Sequence, residues 1–248
     1  MEALRLDRVF KNFGGLEVLC NLSFTIEAGE YVAIIGPNGA GKTTLINVIS
    51  GELLASSGHI SVFGNDITHK STHERAKCGI GRSFQITHLL SELTLLENVM
   101  AALFGLDPSR YQMYRPAMSY DGLLSRAREV LESIDLWDKH HLPIPFISHG
   151  EQRKLDVALS LAQQPKLLLL DEPTAGLTAA EIPSFIHSVK SLAKGTTLLL
   201  TAHDMDVVFA LAQRVIVLYY GQIIAGGTPD EIRVDQKVRE IYLGVEEE

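Results

Sequence analysis

Cysteine is scarce in this chain of 248 residues, which contains only Cys20 and Cys78. The two are isolated and show neither metal-site nor disulfide spacing, so we expect packing residues in a reducing compartment. Long apolar runs are absent too: none approaches the about 18 residues needed to span a bilayer. The N-terminus lacks the basic-then-apolar pattern of a signal peptide. We therefore expect a soluble, intracellular protein that acts at membranes only through a partner.

Positive charge is also in short supply. Lysine and arginine total 22 against 30 acidic residues, which gives a net charge of −8. A nucleic-acid-binding domain would show a basic stripe, and none is present, so no nucleic-acid partner is expected. Part of the acidic excess is the terminal run 246–248, which we interpret as a solvated tail. The length suits one large domain, or one domain with a subdomain.

The chain contains a predicted phosphate-binding segment, the phosphate loop, of the form G-x-x-x-x-G-K-[ST] at residues 36–43. It follows the apolar segment 31–35 and precedes a helical pattern, the context that distinguishes such a loop from an ordinary glycine-rich turn. Its backbone N–H groups and the start of the helix would bind phosphates. Lys42 would reach the β- and γ-phosphates, and the Thr43 hydroxyl would bind Mg²⁺. The predicted nucleotide-binding residues are Gly36, Pro37, Asn38, Gly39, Ala40, Gly41, Lys42, Thr43 and Thr44.

The rest of the chain shows strand and helix patterns in a definite order. Residues before 35 read as strands separated by turns, whereas 87–147 have helical spacing without strand signals. An irregular stretch at 107–122 is predicted as a loop or weak helix. The last third alternates helices with fully apolar strands, which is typical of a parallel sheet covered on both faces. Predicted strands are 4–10, 16–26, 58–63, 79–84, 166–171, 196–201 and 214–218, and predicted helices are 93–104, 123–134, 150–163, 179–193 and 205–211.

Polar residues follow or close several predicted strands. Because ligands of open α/β sheets bind at the carboxyl ends of the strands, Gln85, Asp171, Glu172 and His203 are expected near the phosphate loop. Asp171 is predicted to hold Mg²⁺ through water, and Glu172 to act as general base for the attacking water. Gln85 would contact both Mg²⁺ and this water, and His203 would donate to the γ-phosphate. The alternatives are a structural strand-end Asp171 or Gln85, a surface Glu172 opening a turn, and an ordinary loop histidine.

The segment 147–151 has two compatible interpretations. Ser148 and Glu151 have capping-box spacing, which predicts the start of a helix. A capped helix N-terminus with exposed N–H groups also binds anions. A second copy of the chain would therefore be able to present Ser148 and Gly150 to a nucleotide.

Together these motifs resemble those of the ATP-binding-cassette (ABC) ATPases over essentially the whole chain. Residues 36–43 match the Walker A motif, 167–171 with Glu172 the Walker B motif and catalytic glutamate, Gln85 the Q-loop, His203 the H-loop, 148–150 the ABC signature and 175–178 the D-loop. In this family an aromatic at the position of Phe13 stacks on adenine; the alternative is a packed hairpin residue. Three positions depart from the family pattern: His149 for glycine, Glu151 for glutamine and Thr178 for aspartate.

The resemblance implies an α/β fold: a P-loop NTPase core with a mostly parallel covered sheet, an N-terminal antiparallel β subdomain and an inserted α-helical subdomain. It implies one ABC ATPase domain over 1–248, with about 1–86 and 148–248 as the core and about 87–147 as the helical subdomain. Two copies, or this chain and a close relative, would enclose two Mg·ATP, each phosphate loop facing the partner's signature. The helical subdomain would hold a coupling helix of a membrane permease.

Several segments, 95–100, 148–155, 227–232 and 238–244, are similar to ATPase subunits of branched-chain amino acid uptake transporters and of related urea and amide importers. This implies an ATPase on the cytoplasmic face of the cell membrane that works with permease subunits and, indirectly, a solute-binding protein. Exporters, including lipid-extraction systems, remain an alternative, as do non-transport ATPases. DNA-repair types, however, carry a long coiled coil, and ribosome-associated types carry two cassettes in one chain. A non-catalytic binding module is disfavoured by the presence of Gln85, Glu172 and His203.

Overall fold

The computed structural model describes residues 1–83, 89–104 and 121–243. Most of the predicted irregular stretch 107–122, the acidic tail and Gln85 lie outside these residues. The chain divides into two compact units. The sheet unit comprises Met1–Arg82, Pro165–Pro173 and Gly195–Glu248, and the helical unit comprises Ser83–Gln164 and Thr174–Lys194.

An antiparallel sheet begins the sheet unit. Among the described residues it has the strand order β2-β1-β4-β5, and β1 is antiparallel to both β2 and β4. One face of β1 is buried through residues such as Leu4 and Leu6, as the alternation of a half-buried strand requires. The predicted N-terminal antiparallel subdomain is thereby confirmed. Its strands are β1 (Glu2–Phe13), β2 (Leu16–Glu27), β4 (Ser57–Val62) and β5 (Asn65–Asp66).

A second, mostly parallel sheet forms the centre of the sheet unit. Within the described part of the chain its order is β10-β9-β3-β8-β7-β6, with β3 parallel to β8 and β9, and β7 parallel to β8. Every residue of β7 and β8 is buried, as in a sheet covered on both faces, so this prediction is confirmed. The strands are β3 (Tyr31–Ile35), β6 (Ile80–Ser83), β7 (Leu167–Asp171), β8 (Thr197–Thr201), β9 (Arg214–Tyr219) and β10 (Gln222–Gly227).

Strand register brings the carboxyl ends of the central strands to one level. Asp171 pairs with Thr201, and Thr201 pairs with Ile34. The phosphate loop follows β3 directly, at Gly36. The sheet therefore places the ends of β7 and β8 beside the start of this loop.

Short helices complete the sheet unit, and some of them were not predicted from the sequence. The helix α2 follows a capping box formed by Ser71 and Glu74, a signal that is present in the sequence. The C-terminal helices and β10 were missed as well. The helices of this unit are α1 (Lys42–Ser50), α2 (Thr72–Lys77), α7 (Met205–Leu211), α8 (Pro229–Val234) and α9 (Gln236–Leu243).

The helical unit packs around its own apolar core. Leu95, Val99, Leu131 and Leu155 are among the fully buried residues of this core. The helix α6 begins three residues later than predicted, with Pro183 in its first turn. None of the described helices is long and apolar enough to cross a membrane. The helices are α3 (Leu95–Phe104), α4 (Asp121–Ser133), α5 (His149–Ala162) and α6 (Ile182–Leu192).

A fully buried arginine, Arg75, binds the end of α1. Its NH1 donates to the carbonyls of Val48 and Ile49, Nε donates to Lys70 O at 2.9 Å, and NH2 donates to Thr68 O at 3.1 Å. The last carbonyls of a helix have no partner within the helix, so Arg75 supplies donors that α1 cannot. It thereby anchors the helix whose other end follows the phosphate loop.

We expect Arg75→Met to lower the free energy of unfolding by about 3 kcal/mol, because each buried polar group left without a partner costs about 1–3 kcal/mol. Chemical denaturation followed by circular dichroism measures this change. The matched control is Arg239→Met, at an exposed position of the same unit, for which a change within about 0.5 kcal/mol is expected. A comparable effect of the two substitutions would contradict the anchoring role of Arg75.

Candidate nucleotide-binding site

The phosphate loop joins β3 to α1 and is tightly packed at its first residue. A Cβ atom built on Gly36 would lie 2.1 Å from Leu218 O, so only glycine fits there without a backbone shift. At the other end, Gly41 is the N-cap residue of α1 and offers no side chain to the first N–H groups of the helix. These N–H groups and the positive end of the helix dipole are suited to bind an anion.

A cavity of about 240 Å³ lies over this loop. It is lined by all the predicted nucleotide-binding residues from Asn38 to Thr44, and also by Val18 and Glu172. The Lys42 ammonium donates to Gly36 O at 2.7 Å and to Pro37 O at 3.1 Å. Burial lowers the pKa of Lys42, and the charges of Glu172 and Asp171 oppose this shift. Phosphate oxygens would replace the two loop carbonyls as acceptors.

Asp171 ends β7 and is 1% exposed. Its Oδ1 accepts a hydrogen bond from Thr201 Oγ1 at 2.6 Å, and its Oδ2 lies 3.8 Å from Arg82 NH2. Arg82 also pairs with Glu52 Oε1 at 2.9 Å and donates to Ser50 Oγ at 2.9 Å. Arg82 was not among the predicted site residues, since nothing in the spacing of β6 distinguishes it from an ordinary strand arginine. It supplies the positive charge that a buried carboxylate needs.

Glu172 has an unusual backbone conformation, with φ = 44°. Its N–H donates to both Thr201 O, at 3.2 Å, and Thr201 Oγ1, at 3.0 Å. A non-glycine residue in this left-handed region costs about 1–2 kcal/mol, so these bonds stabilise a strained position. His203 Nδ1 lies 3.7 Å from Glu172 Oε2. The predicted general base and the predicted γ-phosphate donor are therefore neighbours, and Glu172 lines the cavity over the phosphate loop.

The remaining predicted residues that the structure describes are Phe13, Ser148 and Gly150. Phe13 ends β1, and its side chain is 46% exposed with Lys11 Nζ 5.0 Å from the ring centroid. Ser148 and Gly150 belong to the helical unit, where Ser148 is the N-cap residue of α5. The capping box between Ser148 and Glu151 is present, so that prediction is confirmed. The structure thus brings the phosphate loop, Asp171, Glu172 and His203 together within the sheet unit.

Comparison with known proteins identifies the family. Residues 19–175 match the family described as ABC transporter. The chain belongs to the ABC transporter family. Residues 222–248 of this ABC protein also match a family described as branched-chain amino acid ATP-binding cassette transporter. The predicted family and the predicted ABC-type ATPase class are confirmed.

Relatives resemble this ABC ATPase over almost its full length. The probable branched-chain amino acid transport ATP-binding protein LivG of Methanocaldococcus jannaschii is 35% identical, covering 98% of each chain. The high-affinity branched-chain amino acid transport ATP-binding protein LivG of Salmonella typhimurium is 33% identical, covering 97% of each. A crystal structure of the ADP conformation of an ABC transporter cassette has a TM-score of 0.86, is 33% identical, and is matched over 98% of this chain and 99% of that one. This ABC ATPase is therefore a nucleotide-binding protein.

A dimeric structure is also among the similar proteins. It is the post-hydrolysis state of an ATP-binding cassette bound to ADP and Pi, with a TM-score of 0.76 and 28% identity. The match covers 91% of this chain and 98% of that one. Similarity at this level supports dimerisation and transporter partners in general for this ABC ATPase.

The turn between β9 and β10 is hydrogen-bonded to the phosphate loop. Gly221 N–H donates to Ala40 O at 3.0 Å, and Gly221 O accepts a hydrogen bond from Cys20 N–H at 2.8 Å. Gly221 has φ = 72°, and a Cβ atom built on it would lie 2.2 Å from Val18 O. A side chain at this position must therefore displace the backbone that holds Ala40.

We expect Gly221→Ala to raise the Kd for ATP by about tenfold, which corresponds to about 1.4 kcal/mol. The matched control is Gly64→Ala, because Gly64 has a similar φ of 77° but nothing within 4 Å of the added Cβ. Titration calorimetry measures both affinities. If the two alanine variants bind ATP equally well, the turn does not support the loop.

Proposed function

We propose that this ABC ATPase powers an importer of branched-chain amino acids or of a related small polar solute such as urea or amides. The supporting observation is full-length similarity to relatives named for branched-chain amino acid transport, including the match at 222–248. In this proposal the chain lies on the cytoplasmic face of the cell membrane. It acts with permease subunits and, through them, with a solute-binding protein.

The proposed chemistry uses Lys42, Glu172, Thr201 and His203 of the sheet unit, together with Gln85. Lys42 leaves its loop carbonyls and pairs with the β- and γ-phosphates of ATP. Glu172 accepts the proton of the attacking water on a carboxylate oxygen, and His203, 3.7 Å away, donates to the γ-phosphate. Thr201 accepts a hydrogen bond from the N–H of Glu172. This bond fixes the backbone from which the side chain of the proposed general base extends. Gln85 is proposed to orient the same water.

Mg²⁺ is the proposed metal partner of ATP. The residues assigned to it are Thr43, Asp171 and Gln85, which offer a hydroxyl, a carboxylate and an amide oxygen. Hard oxygen donors of this kind, few in number, fit Mg²⁺, because this ion keeps several waters and takes its other ligands from phosphates. When bound, Mg²⁺ neutralises charge on the phosphate oxygens. Asp171 is already ionically compensated by Arg82 and oriented by Thr201.

The proposed working state is a head-to-tail dimer, with a second copy or a close relative as partner. Each phosphate loop would face Ser148 and Gly150 of the other subunit, and Phe13 would stack on adenine. Since the nucleotide binds both surfaces only in the closed state, it supplies the differential affinity that a conformational change requires. We further propose that about 87–147 form the subdomain that docks the permease, with about 1–86 and 148–248 as the nucleotide-binding core.

The dimer is tested with Ser148→Arg. A long cationic side chain at the N-cap of α5 should abolish ATP-induced dimerisation in sedimentation velocity, while ATP binding by the monomer stays within about twofold by calorimetry. Ser125→Arg, at an exposed position of α4, is the control. Unchanged dimerisation of the Ser148 variant would refute the head-to-tail arrangement.

The solute is tested by uptake. Cells whose only copy of this gene carries Glu172→Gln should lose accumulation of labelled leucine relative to cells with the unaltered chain. Loss of urea or amide uptake with normal leucine uptake would select the related importer class. Normal uptake of all these solutes would contradict the proposal.

A further inference from the structure

Glu181, the N-cap residue of α6, binds the D-loop through one carboxylate oxygen. Its Oε2 accepts hydrogen bonds from Thr178 N–H at 2.9 Å and from Thr178 Oγ1 at 2.8 Å. Thr178 stands where the family commonly has an aspartate. The pair therefore forms a local capping contact at the end of the D-loop.

The other carboxylate oxygen reaches the signature, 33 residues away in sequence. Glu181 Oε1 accepts a hydrogen bond from Ser148 Oγ at 3.3 Å. A Cβ atom built on Gly150 would lie 2.3 Å from this oxygen, which shows how closely the carboxylate approaches the backbone of α5. One side chain thus connects the D-loop and the signature within the helical unit.

The hydrogen bonds of Ser148 show that its hydroxyl is already engaged by Glu181. Ser148 N–H donates to Glu151 Oε2 at 2.9 Å, and Ser148 Oγ accepts from Glu151 N–H at 3.2 Å. The hydroxyl has a single hydrogen to donate, and Glu181 receives it. Gly150 N–H is one of the first N–H groups of α5, which have no partner within the helix. The Ser148 hydroxyl assigned to the partner's γ-phosphate is therefore bound to a carboxylate of this chain, and the same carboxylate lies close to the backbone of Gly150.

The charge of Glu181 makes it a competitor for that phosphate. Hydrogen bonds from the N–H and the hydroxyl of Thr178 hold the pKa of the Glu181 carboxyl below its usual value. Burial opposes them, and the hydrogen bond from Ser148 adds a smaller lowering effect. The group is accordingly ionised at neutral pH. Two anions at the same Ser148 hydroxyl repel each other, so binding of the phosphate and retention of the carboxylate there oppose one another.

We propose that Glu181 is a positioning residue that occupies the γ-phosphate position of the signature in the free subunit and leaves it when the partner's ATP binds. This inference rests on the proposed head-to-tail dimer. Because Oε2 of the same carboxylate holds Thr178, the displacement also releases the D-loop. When the γ-phosphate of the partner's ATP binds the signature of one subunit, the D-loop of that same subunit, residues 175–178, thereby loses its contact with Glu181.

The test is Glu181→Gln in the hydrolysis-blocked Glu172→Gln background. Glutamine preserves the shape of the side chain and an acceptor for Thr178, as either residue does in a capping box, but removes the charge. We expect the Kd of the ATP-dependent dimer, measured by sedimentation velocity, to fall by at least about tenfold, since a repulsive charge is removed. ATP binding by the monomer should not change. The control is Glu129→Gln, an equal charge change at an exposed position of α4.

The outcomes separate the two proposals. A dimer as weak as that of the control, or weaker, would show Glu181 to be only a structural cap and overturn the inference. A second variant, Glu181→Ala, should also tighten the dimer, while its loss of the Thr178 contact lowers the Tm. If the Glu172→Gln background itself forms no dimer with ATP, the head-to-tail arrangement fails, and the inference fails with it. A tighter dimer in both Glu181 variants supports both proposals.

Discussion

Glu172→Gln should lower ATP turnover by at least about 100-fold, because a positioned general base contributes about 10²–10⁴ to the rate. The amide has nearly the same shape as the carboxylate but does not accept the proton of the attacking water. The backbone of residue 172 is held by Thr201, so the side chain should keep its place in the phosphate cavity. ATP binding should therefore survive, and with hydrolysis blocked the closed dimer should accumulate.

Phosphate release under saturating ATP measures the loss of turnover, and sedimentation velocity with ATP measures the trapped dimer. Glu129→Gln, which makes the same chemical change away from the site, should hydrolyse ATP normally. Turnover within about threefold of the unaltered chain in the Glu172 variant would exclude a proton-accepting role, given the size of effect expected for a general base.

Lys42→Ala should weaken ATP binding by about 100-fold, because a hydrogen bond to a charged group contributes about 1.5–3 kcal/mol and each 1.4 kcal/mol is a factor of ten. This ammonium donates to Gly36 O and Pro37 O. Burial already disfavours its charged form, as the lowered pKa of Lys42 indicates. A triphosphate would supply stronger acceptors than two carbonyls, and alanine removes that gain entirely.

Calorimetric titration with ATP tests this expectation. Lys77→Ala on α2 is the control, since Lys77 is exposed. The Tm of each variant shows whether the fold is intact. An intact Lys42 variant with ATP affinity close to that of the control would mean that this lysine does not contact the phosphates.

The parts of the fold that were predicted correctly are those encoded by local patterns. The leucine run before Asp171 and the glycine spacing of the phosphate loop each act over fewer than ten residues. They identify a buried strand and a turn without knowledge of the rest of the chain. The carboxyl-end rule for parallel sheets predicted that Gln85, Asp171, Glu172 and His203 lie at one edge. Asp171, Glu172 and His203 do lie close together, whereas Gln85 is outside the described residues. The strand register confirms this placement.

What escaped prediction depends on contacts between distant segments. The role of Arg82 depends on its contact with Asp171, and the role of Glu181 depends on its contact with Ser148. Both contacts join residues that are far apart in sequence. Short elements such as α2 and β10 contain too few residues for a periodic signal. Such short elements are stable because they pack against other parts of the sheet unit, and these packing contacts are not visible in the sequence.

The hydroxyl of Thr201 links the two carboxylate residues at the end of β7. It donates to Asp171 Oδ1 and accepts from the Glu172 N–H. One atom on β8 thus binds both Asp171, the last residue of β7, and Glu172, which follows it. Small sliding of the two strands must carry both residues along as a pair. The group assigned to the metal and the backbone of the group assigned to the water therefore share one point of attachment, a single hydroxyl on the neighbouring strand.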